Sequence, residues 1–98
     1  MAFDILALGE LLIDFTPESA PGAEKTLYSQ NPGGAPANVL AAAAALGAAG
    51  ALISRVGDDV FGRFLIDTVE RRGIDASHVS KDPKVHTTLA FVCLDESG

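Results

Sequence analysis

The sequence has no tryptophan, one tyrosine and one cysteine in 98 residues. A lone cysteine, Cys93, excludes an internal disulfide framework and fits a reducing compartment. Set in a strand-like pattern, it reads as a small buried hydrophobe. Positive charge is also scarce: 7 Lys and Arg stand against 13 Asp and Glu, for a net charge of −6. Binding a phosphate backbone needs clustered cations. The one adjacent pair, Arg71-Arg72, falls at a predicted helix C-terminus, where the helix dipole favours it. Nucleic acid is therefore not an expected partner. No apolar run reaches the roughly 18 residues of a membrane span, and no basic segment precedes the first apolar run as in a signal peptide. The longest candidate, Val39 to Ile53, is alanine-rich and broken by Gly47 and Gly50. Cysteine–histidine metal spacing is missing too, and His78 and His86 stand apart in loop or strand context.

What remains is a small globular α/β pattern. Phe3 to Leu8 reads as a buried strand ended by Gly9, and Leu11 to Phe15 as a second extended piece with Asp14 near its end. Residues 16–32 hold several prolines and a possible short strand at Thr26 to Ser29; such long connections are often functional. Pro36 suits the first turn of a helix running to about Leu46, closed by Gly47. Leucine or alanine at nearly every position predicts a helix buried on more than one side. Ala51 to Val56 is the next strand. Asp58 or Asp59 caps a helix over Val60 to Arg72, whose Phe61, Leu65 and Val69 share one face, and Gly73 stops it. Ile74 to Val79 is a short extended segment, Lys81 to Lys84 a turn, and Val85 to Leu94 a final strand. Three parallel strands with helices on the sheet faces are expected.

The chemistry concentrates in two places. Asp14 interrupts an apolar run; a carboxylate there is costly unless paired, and it offers only acceptors, which suit hydroxyl donors. It is either a ligand contact or a loop cap or surface charge. Gly33-Gly34-Ala35-Pro36-Ala37-Asn38 then sets a polar amide near a helix N-terminus, where backbone N–H groups lack partners. Asn38 either reaches a ligand or caps locally. Gly33 and Gly34 either admit a ligand close to the backbone or make a tight turn. The segment is neither a Walker A loop nor a dinucleotide fingerprint. The acids of Gly57-Asp58-Asp59 suggest metal binding, but a helix cap explains them more simply. No acid–base or nucleophile assembly is visible.

Gly9-Glu10 with Asp14, the GGAPAN segment, Gly47 and Gly57 at their distances beyond it, and Gly57-Asp58-Asp59-x-Phe61-Gly62 with Gly73-Ile74 together resemble the N-terminal third of a ribokinase-like, PfkB family carbohydrate kinase. The resemblance covers essentially the whole chain. With Thr87-Thr88-Leu89-Ala90-Phe91-Val92, it is most like the fructokinases. Leu40 departs from the small residue usual two positions after the asparagine, which bears on packing. The resemblance implies a three-layer α/β/α sandwich with a small β-sheet lid to which residues 16–31 and 86–98 contribute. It implies sugar contacts at Asp14, Gly33, Gly34 and Asn38. It further implies ATP and Mg2+, a monovalent cation such as K+, a cytoplasmic enzyme and a homodimer through the lid. The family's catalytic aspartate lies in a Gly-Ala-Gly-Asp motif beyond residue 98, so this chain alone is expected to be inactive.

Fructose is the expected substrate of the full-length protein. A 2-keto-3-deoxygluconate kinase or another PfkB sugar kinase is the alternative within the family. A non-catalytic α/β binding or structural module is the alternative outside it, since every glycine and acid named also has a structural use. Asp95 to Gly98 reads as a turn without a return strand, so the chain is expected to continue, and the 98 residues alone to fold poorly or associate.

Overall fold

The computed structural model describes residues 3–20 and 22–93. Nine elements follow in order: β1 (Ile5–Leu8), β2 (Leu12–Pro17), β3 (Tyr28–Gly33), α1 (Ala35–Ala45), β4 (Gly50–Gly57), α2 (Val60–Arg71), β5 (Ile74–Asp75), β6 (Val79–Asp82) and β7 (Leu89–Phe91). They make two sheets. In the first, β4 is central: β1 pairs with it in parallel, Ile5 to Gly50 through Leu8 to Ile53. β5 and β6 follow one another along β4, also in parallel, opposite Gly50–Ala51 and Ser54–Gly57. The second sheet has the order β3-β2-β7, with β2 antiparallel to β3 and parallel to β7.

One core serves both sheets. Leu52 and Val56 of β4 meet Leu40 of α1 and Leu65 and Val69 of α2, while Leu11 and Ile13 bring in the start of the second sheet. Ile5 and Ala7 pack against this cluster and the alternate residues Leu6 and Leu8 are exposed. Both helices therefore lie on one face of the parallel sheet. α1 is covered along one stripe only, at Ala37 and Leu40, and leaves Val39 and Leu46 exposed. The expected burial on several sides does not occur, because the sheet and α2 offer α1 a single surface. Leu40 is fully buried, and its Cδ2 would stand 2.9 Å from a Cβ on Gly50, so that glycine gives the larger residue its room.

Four boundaries differ from the sequence reading. Asp14 lies inside β2, in the second sheet, and not at the end of a core strand. The short strand expected at Thr26 to Ser29 begins at Tyr28 and runs on through Pro32 to Gly33. Pro32 is tolerated because β3 is an edge strand and loses no ladder bond on its outer side. Lys81 and Asp82 complete β6, where the turn expected over Lys81 to Lys84 was to begin, because the open edge of β4 supplies their partners. The last strand is confined to Leu89–Phe91 and finds its partner in β2, and Leu94 lies outside the described residues. Cys93 follows that strand and is exposed, not buried.

The placement of β7 depends on a clasp at the α2 N-terminus. Asp59 caps the helix by accepting from the Gly62 N–H at 2.7 Å. It also accepts from the Thr87 N–H at 2.9 Å and the Thr87 hydroxyl at 2.6 Å, and that hydroxyl in turn accepts from the Gly57 N–H at 3.0 Å. Thr87 is buried, two residues before β7. The space is so tight that a Cβ on Gly57 would meet Asp59, the Thr87 nitrogen and the Val85 carbonyl. The Thr87 hydroxyl and then its N–H, with the Gly62 N–H, hold the Asp59 carboxyl down at about 2, against an ordinary 3.8.

Folded Asp59 thus binds its proton more weakly than unfolded Asp59. Its stabilisation is complete above the ordinary carboxylate range and is lost as pH falls from about 4 toward 2. Urea titrations should show Asp59→Ala and Thr87→Val each destabilised by about 2 kcal/mol at pH 7. The gap between wild type and Asp59→Ala should narrow on acidification. A pH-independent gap would show that the charge of Asp59 is not what closes the clasp.

Candidate functional site

Two stretches of backbone interlock where β1 hands over to β2 and β3 hands over to α1. A Cβ on Gly9 would run into the ring of Pro36, and a Cβ on Gly34 would run into the Glu10 carbonyl oxygen. Gly34 also has φ +119, a conformation L side chains rarely adopt. It is the N-cap of α1 and has no side chain to offer the helix. Pro36, in the first turn, has no N–H to satisfy. The first backbone bond of the helix runs from the Asn38 N–H to the Gly34 carbonyl at 3.2 Å.

Asp14 stands at this junction. The β2–β3 register sets it opposite Asn31 and sets Leu12 opposite Gly33. A Cβ on Gly33 would collide with the Asp14 carboxylate and lie 2.9 Å from Leu12 Cδ1. Buried Gly33 therefore lets the carboxylate lie flat against the backbone just before α1. Asp14 is half-buried and Asn38 is exposed. Among the described residues, no donor bonds the Asp14 carboxylate and the Asn38 amide makes no hydrogen bond. The alternatives left by the sequence narrow accordingly: Asn38 does not cap α1 and Asp14 does not cap a loop, which leaves a ligand contact or, for Asp14, a surface charge.

The Asp14 carboxylate lies against Gly33, and the next residue, Gly34, lies against the Glu10 carbonyl, with Asn38 one turn into the helix. Other acids do not join them. Asp59 is used in the clasp, and Asp58 pairs with Arg63 at 3.5 Å. Among the described residues no group of three or more His, Cys, Asp or Glu is arranged to hold a metal ion. The sequence reading named Thr87 only within a family-like stretch and gave it no role of its own. A buried threonine after a histidine in a loop carries no local signal, because its partners, Asp59 and Gly57, lie 28 and 30 residues away.

Comparison with known proteins identifies the family of the chain. The pfkB family carbohydrate kinase pattern matches residues 2–98. Probable fructokinase-5 of Arabidopsis thaliana is 42% identical over 96 residues, which are 96% of this chain and 30% of that protein. An uncharacterized sugar kinase of Pyrococcus horikoshii, solved in complex with ATP, superposes with a TM-score of 0.84 at 39% identity over 96% of this chain and 32% of its own. Fructokinase from Vibrio cholerae, solved with fructose, ADP and calcium, gives 0.79 at 37% identity over 94% of this chain and 28% of its own. The chain thus spans about a third or less of the length of these relatives. It belongs to the pfkB family of carbohydrate kinases, and its fold is the N-terminal part of the ribokinase-like α/β fold of those enzymes.

The double constraint on Gly34 separates it from an ordinary helix-ending glycine. Gly47 also has positive φ, at +91, but open space around its Cβ position. Gly47→Ala should cost about 1 kcal/mol. Gly34→Ala should cost about 3 kcal/mol or more, because backbone strain adds to a collision with backbone that cannot step aside. Thermal melts of the two variants side by side check this, and equal losses would mean that the Glu10 approach is not tight.

Proposed function

We propose that the protein is a sugar kinase that transfers the γ-phosphoryl group of ATP to a hydroxyl of fructose. The observation carrying this reading is the pair of uncommitted polar groups, the Asp14 carboxylate and the Asn38 amide, beside the interlocked glycines at the start of α1. Family membership and relatives named as fructokinases support it.

Each residue of this chain has a limited part. Asp14 accepts hydrogen bonds from sugar hydroxyls and so fixes which face of the sugar is presented. Asn38 both donates and accepts. Gly33 and Gly34 let the sugar approach the backbone where a side chain would block it. ATP with Mg2+ supplies the phosphoryl group and the charge neutralisation that its transfer needs. No acid cluster among the described residues fits a metal, so Mg2+, and a monovalent cation such as K+, would be held by other parts of the enzyme. Relatives solved with ADP and calcium or potassium are in keeping with ion involvement. The aspartate that would activate the sugar hydroxyl belongs to the Gly-Ala-Gly-Asp motif, which this sequence does not contain.

The second sheet would serve as the lid, with residues 16–31 and 86–98 contributing; residues 94–98 lie outside the described ones. Covering the sugar would exclude water and suppress wasteful hydrolysis of ATP. Exposed Tyr28 and Phe91 lie on this sheet, where a second copy would pack to form the dimer. No described helix is long and apolar enough to cross a membrane. The compartment proposed, on the family resemblance, is the cytoplasm.

In the full-length enzyme, Asp14→Ala should lower kcat/KM for fructose by roughly 30- to 1,000-fold, equivalent to about 2–4 kcal/mol of lost binding to the transition state. Asn38→Ala should cost less, about tenfold. Steady-state kinetics over a sugar panel that includes 2-keto-3-deoxygluconate test both role and substrate. Wild-type rates in folded Asp14→Ala would remove the assigned role, and turnover of the keto acid without fructose would move the enzyme to another branch of the family.

A further inference from the structure

We propose that Asn31 is a second sugar-contacting residue, whose side-chain carbonyl accepts a hydrogen bond from a hydroxyl neighbouring the one bound by Asp14. This rests on the sugar-kinase reading and extends it to a residue outside the GGAPAN segment. The second sheet has two unlike faces. One is aromatic: Phe15 stacks on Phe91 with ring centroids 4.8 Å apart and meets Phe61 of α2 edge-on at 5.8 Å. The other follows from the alternation of side chains along a strand. It carries Asp14 and Thr16 on β2, and opposite them Asn31 and Ser29 on β3. Directly opposed residues of an antiparallel pair hold their Cβ atoms about 5 Å apart. Asn31 and Asp14 are such a pair, so a single small ligand can span both.

The orientation of the Asn31 amide is set. Its Nδ2 donates to the Ser29 hydroxyl at 3.0 Å and to the Thr16 hydroxyl at 3.4 Å. It also lies 3.4 Å from the Ser29 carbonyl and 3.5 Å from the Asp14 carbonyl. With the nitrogen so engaged, the amide oxygen is turned away from these acceptors, and no described donor bonds it. Two hydroxyl side chains thus hold one acceptor beside another, the Asp14 carboxylate. Hydroxyls on adjacent sugar carbons need two acceptors at this kind of separation. A neutral acceptor beside the charged one also avoids the like-charge repulsion that a second carboxylate directly opposite would create.

The test uses the full-length enzyme, fructose and a set of singly deoxygenated fructose analogues, with wild type, Asn31→Ala and Asp14→Ala. Asn31→Ala should raise KM for fructose by about 3- to 12-fold, the range of one neutral hydrogen bond, with kcat and KM for ATP unchanged. Wild type should lose affinity for one analogue that Asn31→Ala no longer distinguishes from fructose, and that analogue should differ from the one to which Asp14→Ala is insensitive. An unchanged KM in Asn31→Ala, or undiminished discrimination against every analogue, overturns the proposal while leaving the kinase reading intact. Absence of sugar phosphorylation by wild type would instead defeat both. A merely structural role for Asn31 would lower the melting temperature and affect all analogues alike, which also counts against the proposal.

Discussion

The close approach of two backbone segments, Glu10 against Gly34 and Gly9 against Pro36, fixes the relation between everything else in this chain. On one side of the contact, β1 has just left the parallel sheet and β2 is about to enter the second. On the other, β3 is leaving the second sheet and α1 is about to cover the first. Moving either segment would shift both sheets at once. Hydrophobic burial holds the contact shut: Leu11, immediately after Glu10, and Leu40, inside α1, are both buried in the common core. The uncommitted carboxylate of Asp14 and the uncapped start of α1 are brought together as a consequence.

The clasp at Asp59 does comparable work from the opposite side. β7 is only three residues long and could not hold its place in the second sheet by its ladder alone. Thr87, tied through both its hydroxyl and its N–H to the cap of α2, delivers the chain to β2 in register. Stacking of Phe91 on Phe15 then closes the aromatic face over α2. The second sheet is attached at two points, the glycine junction and the clasp.

The sequence carried much of this, and the divisions between what was legible and what was not are physical. Helix limits were readable because Pro36, Gly47, Asp59 and Gly73 mark them through local backbone chemistry. β4 was readable as a run apolar except for Ser54 and Arg55. Asp14, Gly33, Gly34 and Asn38 could be singled out because a charge in an apolar run and paired glycines before a helix are locally unusual. Sheet membership was not readable. Asp14 belongs to the second sheet because β3 pairs with β2, and that pairing joins residues up to 21 positions apart through a strand containing proline. β6 was hidden because Ser80-Lys81-Asp82 has no strand-like composition and is recruited by the free edge of β4. Cys93 looked buried because alternation was extrapolated past Phe91, where the strand ends.

The central claim is that the junction of Gly9–Glu10 with Gly33–Pro36 builds a sugar site whose polar groups are Asp14 and Asn38. The most direct measurement is a crystal structure of the full-length enzyme with fructose bound. The account predicts sugar hydroxyls within hydrogen-bonding distance of the Asp14 carboxylate and the Asn38 amide, with the ring against the Gly33-Gly34 backbone. Fructose bound elsewhere, with Asp14 and Asn38 facing solvent in the complex, would contradict it.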